Sequence, residues 1–149
     1  MGGEPRRDQA EPGEGAVILP DSSAWVAFFR GPADGVGTTL RSLFDLRATV
    51  VTNGQVVMEV LVGARSDRDL AKMRSVLTSF PILPTRKLED FESAARIYRT
   101  CREAGETIRT LSDCLIAAQA LRAGASILHQ DRDFDVIARH TGLRIHPVG

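Results

Sequence analysis

Five carboxylates, Asp21, Glu59, Asp113, Asp131 and Asp133, stand where chemistry could be done. Asp21 and the Asp131/Asp133 pair each follow a short apolar run, AVIL and SILH, of the kind that forms a buried strand. Glu59 interrupts VVMEVLVGA and Asp113 precedes CLIAAQAL, apolar helical stretches in which an isolated carboxylate is costly. Carboxylates gathered at one sheet edge repel one another, and the proton affinity of some rises. A hard divalent cation relieves that repulsion, and oxygen donors favour magnesium, with manganese as a substitute. Such a site suits phosphodiester hydrolysis, because the metal activates water and neutralises charge on the phosphate.

Each acid also has a plain structural role open to it. Asp21 can cap the helix that follows, and Asp113 can cap its own helix or complement the helix dipole. Glu59 can lie on a thin polar stripe with Gln55, one turn earlier on the same face. Asp131 and Asp133 can be turn residues. The functional reading therefore rests on the set. Softer metals lack ligands: His129, His140 and His146 are spaced by eleven and six residues, which is no common zinc pattern. Cys101 and Cys114 read as buried, reduced thiols of a cytoplasmic protein.

The elements that must carry these acids alternate between strand and helix. Strands are expected at 16–19, 49–51, 81–84 and 126–129, with LRIHPV (143–148) supplying a last one. Between them the apolar spacing predicts helices from Asp21–Ser23 to Arg30, over 36–47, around QVVMEVLVGA and over 67–79 and 88–104. A further helix runs from Thr110 or Ser112 to Gly124, and a short one covers 134–141. This alternation predicts an α/β fold with a small, mostly parallel sheet covered on both faces. In such sheets ligands bind beyond the carboxyl ends of the strands, where Asp21 and Asp131 fall.

At 149 residues the chain is expected to form one domain over 16–149. Residues 1–15, with four acids, four glycines and two prolines, are expected to be a disordered tail. GVGT (35–38) is the other flexible-looking patch. Nineteen basic and nineteen acidic residues cancel, so charge alone neither suggests nor excludes nucleic acid. No apolar run is long enough for a membrane span.

The ordered motifs LPDSSAWVAFFRG, VVMEVLVGA and TLSDCLIAAQALRAGASILHQDRDF resemble a PIN-domain ribonuclease of the VapC toxin type. The resemblance covers residues 16–148 and rests on the order of the motifs, since each alone is weak. It implies a three-layer α/β/α sandwich and a magnesium-dependent endoribonuclease acting as the toxin of a type II toxin–antitoxin pair. By position, Asp21, Glu59, Asp113 and Asp131 match the family's four acids, and Asp133 an additional one that only some members use. The resemblance implies Asp21 and Asp113 as direct metal ligands, with Glu59, Asp131 and Asp133 acting through water. It also implies a VapB-type antitoxin as partner and a homodimer. Two positions depart from the pattern: His129 stands where members carry threonine, and Pro20 precedes the first acid.

Segment 60–110 carries ten cations against seven acids, a mild excess that solvated helix faces also explain. Arg109 and Arg132 are the phosphate-contact candidates, because they flank acids of the set. Trp25 and Phe28 read as core or interface residues rather than as RNA-stacking surfaces. Two other functions share these features: a housekeeping RNA-processing nuclease and a non-catalytic interaction domain.

Overall fold

The computed structural model describes residues 16–31 and 35–149. The expected tail at 1–15 lies outside the described residues. Strand β1 (Val17–Pro20) is central, pairing in parallel with β2 (Thr49–Val50) on one side and β5 (Ala125–Leu128) on the other. β5 in turn pairs in parallel with β6 (Arg144–Ile145). The order β2-β1-β5-β6 buries Ile18, Leu19, Ile127 and Leu128 completely, as continuous apolar strands require. At the far edge, the Val51 N–H donates to the Ile18 carbonyl (2.9 Å). The chain then passes into β3 (Thr52–Asn53), which pairs in parallel with β4 (Ile82–Leu83).

The remaining elements are helices α1 (Ser22–Arg30), α2 (Val36–Asp45), α3 (Gly54–Val62), α4 (Asp67–Leu77), α5 (Lys87–Glu103), α6 (Leu111–Ala123) and α7 (Arg132–His140). One group packs α1 against α2 and α3, and the other packs α5 and α7 against α6. This is the expected α/β architecture. α6 is buried almost all round, and its run of Ala117, Ala118 and Ala120 lets neighbouring backbones approach. Gly124 ends it in the left-handed conformation (φ 66°) that glycine adopts without strain.

Trp25 is fully buried in a cluster with Phe28, Phe29, Phe44 and Phe80, at centroid distances of 5.5–6.0 Å. These aromatics are core residues. Both cysteines are free and buried, and burial pushes the Cys114 thiol up to about 12, which makes it a poor nucleophile.

Three expectations need correction. Gly35–Thr38 is no flexible patch: it is the cap and first turn of α2, where a Cβ on Gly37 would meet the Ala27 carbonyl carbon at 2.9 Å. Only glycine lets α1 and α2 approach so closely. The last helix starts at Arg132 rather than 134, because Asp131 caps it, its carboxylate accepting from the Asp133 N–H (3.0 Å). The last strand shrinks to Arg144–Ile145, since only Ser126 and Ile127 offer it partners.

Candidate functional site

Asp21 follows β1 directly and extends its ladder, donating its N–H to the Leu128 carbonyl (2.8 Å). Pro20, the last residue of β1, lacks an N–H only where the strand ends. The Asp21 carboxylate caps α1, accepting from the Ser23 N–H (3.3 Å) and hydroxyl (2.9 Å). Burial pushes this carboxyl above its ordinary range; the hydrogen bonds from Ser23 and Ser22 only partly offset that, and the Glu59 charge adds to it. Capping and site membership are thus compatible at Asp21.

Asp113 sits in the first turn of α6, but Thr110 is the cap, its hydroxyl accepting from the Asp113 N–H (3.3 Å). The Asp113 carboxylate is therefore free of that duty. It is 5 % exposed, and its buried Oδ2 has no hydrogen-bond partner among the described residues. Burial, then the charges of Asp131, Asp21, Asp133 and Glu59, push its pKa up to about 8. All four other sequence-chosen acids act on this one carboxyl.

Glu59 is half-buried on α3, across from the start of α6. Ser112 donates its hydroxyl to Glu59 Oε1 and accepts from Gln55 Nε2 (2.8 Å). α3 itself is anchored by Asn53, which caps it (2.8 Å to the Val56 N–H) and donates to Gln119 on α6 (2.9 Å). Sequence reasoning paired Gln55 with Glu59 but missed Ser112, whose place beside Asp113 was the available signal.

The third group lies after β5. Asp133 is 2 % exposed and accepts from the Arg109 N–H (3.0 Å) and guanidinium (3.4 Å). Arg109 Nη2 also reaches Asp131 Oδ1 (2.9 Å). The two carboxylates, Asp133 first, hold the guanidinium above its ordinary pKa. One oxygen each from Asp113, Asp131 and Asp133 lie within 4.8 Å of one another. Three oxygens on one octahedral magnesium stand about 2.9–4.2 Å apart, so the carboxylates would draw together to seat an ion there. The unpartnered Asp113 Oδ2 fits such an ion. Asp21 and Glu59 lie outside this tight triad and contribute through their charges.

Arg132 is exposed on the first turn of α7 and makes no ion pair among the described residues. Arg109 also lines a concavity of about 420 Å³ with Tyr98, Arg99 and Arg102, and of these three guanidinium groups it is Arg109 that contacts the acids. His129 is 8 % exposed, with both ring nitrogens engaged. Asp135, an acid in the first turn of α7, is one of its partners.

A family profile described as the PIN domain matches residues 18–140. Ribonuclease VapC11 of Mycobacterium tuberculosis is 43 % identical over 129 residues, covering 86 % of this chain and 96 % of that protein. Among solved structures, VapBC2 from Rickettsia felis, bound to a DNA fragment from its promoter, superposes with a TM-score of 0.71. It is 17 % identical, over 89 % of this chain and 99 % of that one. VapBC-1 from nontypeable Haemophilus influenzae gives a TM-score of 0.68 at 15 % identity, over 87 % and 96 % of the two chains.

Proposed function

This chain belongs to the PIN domain family, in its VapC branch, and from that premise we propose that it is a magnesium-dependent endoribonuclease acting as the toxin of a toxin–antitoxin pair. One observation carries the reading: a buried carboxylate with no internal partner, Asp113, faces the charges of four other acids. The other four acids each have a partner, whereas Asp113 is left uncompensated, and an uncompensated buried charge is costly to a fold that uses it only for stability.

Asp21, Asp113, Asp131 and Asp133 would hold the metal, directly or through water, and Glu59 would act from the α3 side. When bound, a divalent cation supplies charge compensation to the scissile phosphate and lowers the pKa of water. The chain's own groups do the rest. Glu59, held by Ser112, is placed to accept a proton from the attacking water. Arg109 and its neighbours Arg99 and Arg102 offer a counter-charge to the RNA backbone, which must approach five carboxylates. Tyr98, beneath the Arg102 guanidinium at 5.7 Å, gives an unstacked base a surface to rest on. Arg132, exposed on the first turn of α7, adds a further cation.

The antitoxin is the partner proposed for the apolar side of the molecule. Met58, Val62 and Leu70 are exposed on α3 and α4, beside a concavity of about 410 Å³ where Val26, Phe29, Val60 and Met73 meet the charged Arg30, Arg65 and Asp69. A homodimer and a cytoplasmic location belong to the same reading, as does a single nuclease domain over 16–149. No helix among the described residues is long and apolar enough to cross a membrane.

Sequencing RNA 5′ ends after brief induction of wild type and Asp113→Asn tests the reading. New ends are expected with wild type alone. Equal cleavage by Asp113→Asn would overturn it.

A further inference from the structure

His129 ends the run that carries β5 and packs its ring on Phe134, at a centroid distance of 5.3 Å. Core filling would account for that contact but not for its nitrogens. Nδ1 accepts a hydrogen bond from the Asp131 N–H (2.9 Å), so that nitrogen carries no proton. The proton of the neutral ring then sits on Nε2, which faces Asp135 Oδ1 at 3.1 Å. A carboxylate at Nε2 favours the very tautomer that the Asp131 amide needs.

The neighbouring amide is held as well. Gln130 donates its N–H to Ser23 Oγ (2.9 Å), and Ser23 donates onward to Asp21 Oδ2 (2.9 Å). The 129–131 turn thus ties the acid after β1 to the acid after β5. At Asp131 both side-chain bonds, from Arg109 and from the Asp133 N–H, fall on Oδ1. Among the described residues Oδ2 accepts none, which leaves it for a ligand. The direction of that oxygen depends on the backbone that His129 pins.

We propose that His129, its tautomer selected by Asp135, is a positioning residue that aims Asp131 at the metal position. The inference rests on the metal-dependent reading of the site. A leucine at 129 keeps the apolar packing but leaves the Asp131 N–H without its acceptor. An asparagine keeps an acceptor, since its Oδ1 reaches the amide two residues on as Nδ1 does.

The test begins with the metal-free protein near neutral pH, using long-range proton–nitrogen NMR correlations of the His129 ring. The expected signature is a protonated Nε2 and a bare Nδ1, turning into a tautomer mixture in Asp135→Ala. A protonated Nδ1 in the wild type would overturn the proposal. Magnesium binding by calorimetry and RNA cleavage kinetics follow. His129→Leu should lose about 10–100-fold in magnesium affinity and in kcat, with KM for RNA within about two-fold. His129→Asn should recover most of the loss. Equal impairment of two equally folded variants would overturn the proposal, as would wild-type magnesium affinity in His129→Leu. If His129→Leu does not fold, the tautomer and the asparagine variant still decide. Should wild type cleave no RNA, the ribonuclease reading falls, while the NMR and calorimetric results still test His129.

Discussion

Asp90 and Asp113 are buried aspartates of nearly equal exposure, 3 % and 5 %, at the starts of adjacent helices α5 and α6. Their surroundings are opposite. Burial raises Asp90, but the Arg122 hydrogen bonds, the Arg86 amide and the charges of Arg122 and Arg86 outweigh it and hold the carboxyl below its ordinary range. Arg122 reaches both oxygens at 3.0 Å and also donates to the Pro84 carbonyl (2.6 Å), pinning the segment between β4 and α5. Burial raises Asp113 too, but there the neighbours are four more acids and the pKa climbs to about 8. Solvent exposure is nearly the same at both places. What differs is whether the chain supplies the counter-charge itself or leaves that to a ligand.

The largest expected contrast is a crossed pair of substitutions. Asp113→Asn should cut RNA cleavage by about 10³-fold or more, since it removes a ligand and the hub of the charge cluster, while leaving stability unchanged or higher. Asp90→Asn should do the reverse. It strands the largely buried Arg122 and should cost about 3 kcal/mol in denaturant unfolding, with kcat of the folded fraction within about two-fold. Similar effects of the two on both readouts would break the distinction.

The pH dependence of stability should separate the two acids next. For Asp113 the folded pKa, about 8, exceeds the ordinary 3.8, so the folded state holds more protons between those values. Metal-free protein should therefore lose stability as pH rises from about 4 to 8, and Asp113→Asn should flatten that slope. Asp90 has the opposite sign. Its contribution is present above 3.8 and is lost as pH falls through its depressed folded pKa, so Asp90→Asn should lower the plateau above that range and flatten the slope on the acid limb alone. Unfolding midpoints across pH, with and without magnesium, check both.

A smaller effect is expected at Asn53, which links α3 to α6. Asn53→Ala removes the α3 cap and the bond to Gln119, and should cost about 1–2 kcal/mol. Activity should fall several-fold as Glu59 shifts; wild-type kcat with lowered stability would show that the anchor serves the fold alone. Smallest is Arg109→Gln. Solvent screens its exposed guanidinium, so stability should change little, while KM for RNA should rise. An unchanged KM would remove Arg109 from the substrate path.

Much of this was legible in the sequence because the acids sit at points of local conflict. Asp113 before CLIAAQAL and Glu59 within VVMEVLVGA are charges in apolar stretches, and AVIL and SILH mark strand ends. The alternation of elements gave the parallel sheet, and the starts of α1 and α6 followed from capping residues. Long-range partners were hidden. Ser112 meets Glu59 across 53 residues, and Gln119 meets Asn53 across 66, pairings that no local pattern encodes. Asp90 shows the same limit: in KLEDFES it looks like any first-turn acid, and only Arg122, 32 residues on, makes it a buried pair. The role of Gly37 likewise needed the path of α1 beside it.

The central claim is that Asp113 waits for a cation that the chain does not provide. Calorimetric titration of metal-free protein with magnesium at pH 7, repeated in buffers of different ionisation enthalpy, tests it most directly. With a pKa of about 8, Asp113 is mostly protonated at that pH, so binding should release close to one proton per ion. Asp90→Asn should behave as wild type, and Asp113→Asn should lose both the binding and the proton. Magnesium bound without proton release, or bound equally well by Asp113→Asn, would contradict the account.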